Sequence, residues 1–126
     1  MHAEYVFRVR VRIDPSEEGV RVDPATFETT LYRRADPPGE DGWLFFRDNL
    51  WRGEVNDEAH LRDLAEDSLG VPVDSVAFSA LRTDEAYFDA LKAEIGNSLD
   101  LFKADRVSEV VSKYLGSSVE VRDTDG

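Results

Sequence analysis

Cysteine is absent from the 126 residues, and lysine nearly so, standing only at Lys92, Lys103 and Lys113. Without cysteine the chain has no disulfide framework, no thiolate metal site and no thiol nucleophile. Imidazole is as scarce: His2 and His60 are too few to build a metal centre, although Asp57 and His60 share one side of a helical turn. A glycine-rich phosphate loop is missing too, because Gly116 reads as a helix end and Ser117-Ser118 after it has no positioned base. No run of about 18 apolar residues occurs. Met1-His2-Ala3-Glu4 offers no basic stretch ahead of an apolar one, so the expectation is a cytoplasmic protein without a membrane partner. No catalytic residue and no cofactor is called for.

What the chain has in excess is carboxylate. Asp and Glu number 27 against 15 Lys and Arg, a formal charge of -12. In dilute salt such a charge repels itself and weakens the compact state. At about 1 M ions the screening length falls to roughly 3 Å, and surface carboxylates then hold water without opposing one another. Arginine in place of lysine fits the same setting, since a guanidinium is less hydrated and pairs in two-pronged fashion. The expectation is a salt-adapted protein. An acidic protein of an ordinary cell, or an acidic mimic of nucleic acid, is the competing reading of composition. With so many carboxylates, acid pairs are expected by composition and point to no general acid or base.

The length suits one domain, and no Pro-rich or Gly/Ser-rich linker divides it. Residues 5–13 alternate, with Tyr5, Phe7, Val9, Val11 and Ile13 on one side and Val6, Arg8, Arg10 and Arg12 on the other, as a half-buried strand requires. Residues 27–34 alternate as a second strand. The turn chemistry of residues 36–42 leads to an expected third strand over 43–47, closing a three-stranded meander. A helix capped by Asn56 and stopped at Gly70 follows, with Leu61, Leu64, Ala65 and Leu69 as its apolar stripe. Then come a strand over 73–81, a helix capped by Thr83 and ended by Gly96, a helix over 105–115 and a short edge strand over 118–122. Leu99, Leu101 and Phe102 extend the last helix backward or form a separate turn. The expected fold is α+β, a mainly antiparallel sheet in the order βββαβααβ with about three helices packed on one face. Residues 1–122 form that single domain and 123–126 a flexible acidic tail.

The segment Trp43-Leu44-Phe45-Phe46-Arg47-Asp48-Asn49-Leu50-Trp51-Arg52-Gly53-Glu54-Val55 resembles the LWR-salt protein family, whose tripeptide stands here as Leu50-Trp51-Arg52. The similarity extends to Tyr5-Val6-Phe7-Arg8, to Leu81-Arg82-Thr83-Asp84-Glu85-Ala86-Tyr87 and to Lys113-Tyr114-Leu115-Gly116-Ser117-Ser118. What the resemblance implies is a small acidic protein of salt-loving archaea with no established activity, and so no catalytic residues to carry over.

Two features are candidates for function. Leu50, Trp51 and Arg52 lie in an aromatic and arginine-rich segment, and Trp with Arg is the pairing most enriched at binding hot spots. The plainer reading makes Trp43, Phe45 and Phe46 core, with Arg52 stacked on a ring or paired with Asp48 or Glu54. The second feature is Arg8, Arg10 and Arg12 on one strand face, with Arg33 or Arg34 available from the next strand. Residues 1–52 carry a balance of -2 and residues 53–126 one of -10, so charge is polarised along the chain. With Tyr32, Phe46 or Trp43 beside it, such a face binds phosphates and stacks bases; alternatively its arginines pair across strands with Glu28 and Glu120. The expected function is a non-enzymatic protein-interaction or binding module, its partner a protein or a further copy of itself. Binding of RNA or DNA through the Arg and aromatic sheet face is the alternative, and an enzyme acting through carboxylates a distant third.

Overall fold

A computed structural model describes residues 1–15 and 17–122; the expected acidic tail lies outside the described residues. In chain order the elements are β1 (Ala3–Arg12), β2 (Thr26–Arg34), α1 (Phe45–Asn49), β3 (Leu50–Trp51), β4 (Glu54–Val55), α2 (Glu58–Leu69), β5 (Val73–Asp84), α3 (Glu85–Asn97), a 3-10 turn (Leu99–Phe102), α4 (Val107–Leu115) and β6 (Val119–Arg122). The main sheet has the order β2-β1-β5-β6, in which β1 pairs antiparallel with both neighbours and β6 runs parallel to β5. The fold is therefore α+β, with a mainly antiparallel sheet in a single domain.

Alternation in β1 does what period two demands. Tyr5, Phe7, Val9 and Val11 are all buried, and with Val76, Phe78 and Leu81 of β5 they meet Leu61 and Ala65 of α2, Leu91 and Ile95 of α3, and Val110 and Leu115 of α4 in one cluster. The helices thus cover one face of the sheet and leave the other open.

The expected third strand is absent: residues 43–47 lie in a turn and in α1, so the meander is only the β1–β2 hairpin. The spacing explains it. Trp43 and Phe46 stand three apart and Phe46 and Leu50 four apart, all three buried, which is helical spacing. A strand would have sent neighbouring bulky rings to opposite sides of the sheet. Instead Phe46 is enclosed by Trp43, Phe102 and Tyr114 at ring distances of 6.3, 5.7 and 6.0 Å. Gly42, with φ 88°, starts the turn, and a Cβ there would collide with the Asp36 carboxylate.

Both expected helix caps move by one residue. Asp57, not Asn56, caps α2 by accepting the His60 N–H at 3.2 Å, and Asn56 instead donates its side-chain amide to Asp48 O at 3.1 Å. Asp84, not Thr83, caps α3 by accepting the Tyr87 N–H at 2.7 Å, while Thr83 remains in β5. A carboxylate outcompetes a neighbouring amide or hydroxyl for the positive end of a helix. α3 runs through Gly96, α4 starts two residues later than expected, and Leu99–Phe102 is a separate turn.

Candidate interaction surfaces

Leu50, Trp51 and Arg52 sit on the β3–β4 hairpin, and the three side chains part company. Leu50 is fully buried beside α1, whereas Trp51 stays 45% exposed. Arg52 (φ 52°) and Gly53 (φ 79°) form the two-residue turn, both left-handed as a type I′ hairpin requires. Their amides are spent on α4: the Arg52 N–H donates to Lys113 O at 2.7 Å and the Gly53 N–H to Tyr114 O at 3.0 Å. These are carbonyls that a helix end leaves without an internal partner, so the hairpin closes the C-terminus of α4. The fit is tight, since a Cβ on Gly53 would stand 3.1 Å from Leu115 O and one on Gly116 3.1 Å from Arg52 O.

Trp51 packs edge-on against Tyr114 at 5.8 Å, and the Arg52 guanidinium lies 5.8 Å from the Trp51 ring. Arg52 stacks, as the plainer reading has it; Asp48 pairs with Arg47 at 3.0 Å. A groove of 600 Å³ opens here between Trp51, Arg52, Glu109, Ser112, Lys113 and Ser117. Its cations face the negative end of α4, which they complement and which repels an anionic ligand. Lys113 is further committed through its Nζ, which donates to Phe102 O at 3.0 Å.

The arginine stripe lies where period two places it. Arg8, Arg10 and Arg12 all project from β1 on the open face. The register adds Arg34 and Tyr32 from β2, Arg82 from β5, and Arg122 from β6. Arg33 points the other way, its guanidinium 4.6 Å from the Phe45 ring, and Trp43 and Phe46 are core. Tyr32 is therefore the aromatic side chain on this face, 51% exposed and 5.9 Å from the Arg82 guanidinium. Val6 and Ala80 lie buried opposite one another in this part of the sheet.

Six arginines thus share the face with Glu4, Glu28, Glu120 and Asp84, and Asp14 and Asp74 reach Arg12 from its rim, so this face is close to neutral on a chain of -12. Ion pairing takes up only some of the arginines. Arg12 pairs with Asp14 at 3.1 Å and Asp74 at 3.2 Å, and Glu120 pairs with Arg82 at 3.0 Å and Arg122 at 3.7 Å rather than with the stripe. Among the described residues no ion pair joins Arg8, Arg10 or Arg34, although Glu28 stands across from Arg10 in the register. Arg82 and Arg122 could not be assigned to this face from sequence, because their placement depends on a strand order that alternation does not encode.

The buried carboxylate is Asp84, which accepts the Tyr87 N–H at 2.7 Å and the His2 N–H at 2.8 Å; these bonds hold its pKa below the ordinary value. It is a satisfied cap and a standing anion, the opposite of a general acid. Tyr87 donates to Asp36 O at 2.7 Å, and burial first, then Asp36, pushes its hydroxyl up to about 12. Tyr5 is raised further, chiefly by burial. A cavity of 130 Å³ between β2 and α2 is lined by Phe7, Leu31, Phe45, Leu61, Leu64 and Val76 among others, and no carboxylate borders it. Among the described residues no three His, Asp or Glu side chains converge as a metal-holding group, and no helix is long and apolar enough to cross a membrane.

Comparison with known proteins gives a family and nothing finer: the model of the family described as LWR-salt protein matches residues 1–125. No curated protein and no solved structure matches the chain.

Proposed function

The chain belongs to the LWR-salt protein family, and from that premise we propose that it is a non-enzymatic binding module of a cytoplasm at molar salt. Its open sheet face holds an acidic protein partner. The observation that carries this reading is the set of guanidiniums that form no ion pair among the described residues, Arg8, Arg10 and Arg34, near an exposed Tyr32 on a chain of net charge -12. Guanidiniums suit such a partner under such conditions. Screening at about 1 M salt removes long-range attraction, but the two-pronged hydrogen bond to a carboxylate and the stacking of planar groups act at contact.

Nucleic acid is the second reading, favoured by the Tyr32 ring beside Arg82 on an antiparallel sheet. Salt works against it. Three phosphate contacts lose roughly three decades of affinity between about 0.1 and 2 M salt, and one exposed ring offers one stacking platform.

The test is a tagged pull-down at molar KCl, with and without nuclease, repeated with Arg8, Arg10 and Arg34 replaced together by Gln. The expected outcome is a stoichiometric, Asp- and Glu-rich protein that survives nuclease and is lost from the triple variant. Recovered RNA or DNA that disappears in the same variant establishes the second reading. A partner retained by the variant but lost on Trp51→Ala moves the site to the hairpin.

A further inference from the structure

We propose that β2 is the pairing edge of a two-fold homodimer, in which two copies join their sheets strand to strand. β2 has nine residues, lies at the sheet edge and is hydrogen-bonded to β1 alone. The Ala35 N–H donates to Ala3 O at 2.9 Å at one end of the hairpin and the Ile13 N–H to Ala25 O at 2.7 Å at the other. Antiparallel pairs alternate between bonded and non-bonded, so the odd-numbered residues of β2 bond inward to β1. The N–H and C=O groups of Thr26, Glu28, Thr30, Tyr32 and Arg34 therefore face the open edge.

Such an edge is a template for another strand, and proteins normally blunt it with Pro, Lys or a bulge. β2 has none of these: no Pro or Lys occurs within it, and its register with β1 is unbroken, whereas β1 and β5 shift twice. Its inward-facing charge, Arg33, is folded onto Phe45.

The edge is also complementary to itself. When an antiparallel two-fold axis passes through Leu31, Glu28 of each copy stands opposite Arg34 of the other, and Thr30 opposite Tyr32, all as hydrogen-bonded pairs. The two Leu31 side chains meet at the axis as a close non-bonded pair, beside the cavity they line under α2. Two opposite-charge pairs form and no like charges face each other, which is the cross-strand pattern that stabilises sheets. The axis is perpendicular to the sheet, so both helical layers lie on one side and the two arginine faces become one continuous surface.

The experiment is light scattering behind size exclusion in about 2 M KCl over a wide range of concentration, on the full chain and three variants. The expected wild-type result is a concentration-dependent species of twice the chain mass. Thr30→Pro removes only an edge-facing N–H, so it is expected to keep the native circular dichroism and run as a monomer. Glu28→Arg is expected to weaken association roughly tenfold or more, and adding Arg34→Glu to restore it. A wild type that stays monomeric throughout overturns the proposal, as does a dimer indifferent to both Thr30→Pro and Glu28→Arg. Loss of the dimer in Glu28→Arg without rescue by the swap overturns the register through Leu31. These readouts are taken on the isolated chain and do not depend on what Arg8 and Arg10 bind; Arg34 belongs to both surfaces, and in the dimer its guanidinium is taken up by Glu28 of the other copy.

Discussion

The tripeptide Leu50-Trp51-Arg52 distributes three tasks over adjacent residues. Leu50 is core, so Leu50→Ala is expected to cost about 2–5 kcal/mol in a denaturant titration. Trp51→Ala, which gives up one edge-on ring contact, is expected to cost no more than about 1.5 kcal/mol and to leave the circular dichroism unchanged. Gly53 has φ 79° and a backbone carbonyl 3.1 Å from where a Cβ would stand, so Gly53→Ala is expected to cost about 1–3 kcal/mol although it adds only a methyl. Arg52 accepts a left-handed backbone at which Asn is the preferred residue, and the contact that this retains is a guanidinium on Trp51. Asp84 sets a pH dependence. Its folded pKa lies below the unfolded one, so its stabilisation is complete above the unfolded value and fades as pH falls through the folded value. Asp84→Asn is therefore expected to lower Tm at pH 7 and to flatten the loss of Tm on acidification below about pH 4. An unchanged acid slope would show that the cap is not what titrates.

At the scale of elements, sequence legibility followed periodicity. β1, α2 and α4 carry clean period-two or helical apolar patterns, and each lies within a few residues of where those patterns put it. Residues 43–47 depart from the expected strand, because five consecutive bulky residues satisfy a strand by composition and a helix by spacing, and only Leu50 beyond the run breaks the tie. Phe46→Ala discriminates the two. In a half-buried strand the loss would be modest, whereas inside the Trp43, Phe102 and Tyr114 cage it is expected to reach about 3–5 kcal/mol and to quench the circular-dichroism signature of packed aromatics. The arginine face was half legible for a different reason. Alternation shows which residues of one strand share a side, but Arg82 and Arg122 join Arg8 and Arg10 only through the order β2-β1-β5-β6. That order arises from long-range pairing, which no local pattern records. The role of Arg52 and Gly53 as the cap of α4 was hidden likewise, since it joins residues 61 positions apart in the chain.

The whole molecule is electrically two-sided. Six arginines offset the acids on and around the open sheet face, so the remaining surface carries nearly the whole formal charge of -12. Most of the ion pairs present are exposed, such as Arg62 with Glu58 and Lys92 with Asp89 at 3.9 and 3.7 Å, and exposed pairs contribute about 0–1 kcal/mol each. They cannot offset the mutual repulsion of so many carboxylates when salt is low. Added salt weakens these pairs a little and the repulsion a great deal, because repulsion sums over every distance up to the screening length, which shrinks from about 10 Å at 0.1 M to about 3 Å at 1 M. Repulsion is the larger quantity here, so Tm is expected to climb steadily as KCl is raised from about 0.1 M to molar, and the slope to fall when exposed helix carboxylates such as Glu58, Asp63, Asp67 and Glu109 are replaced by Gln or Asn. A Tm that stays level or rises as KCl is lowered would sink the proposal of a high-salt cytoplasm. It would also leave the arginine face as the dominant electrostatic feature, since guanidiniums that need no screening to coexist with a folded acidic surface would then attract an anionic partner at long range.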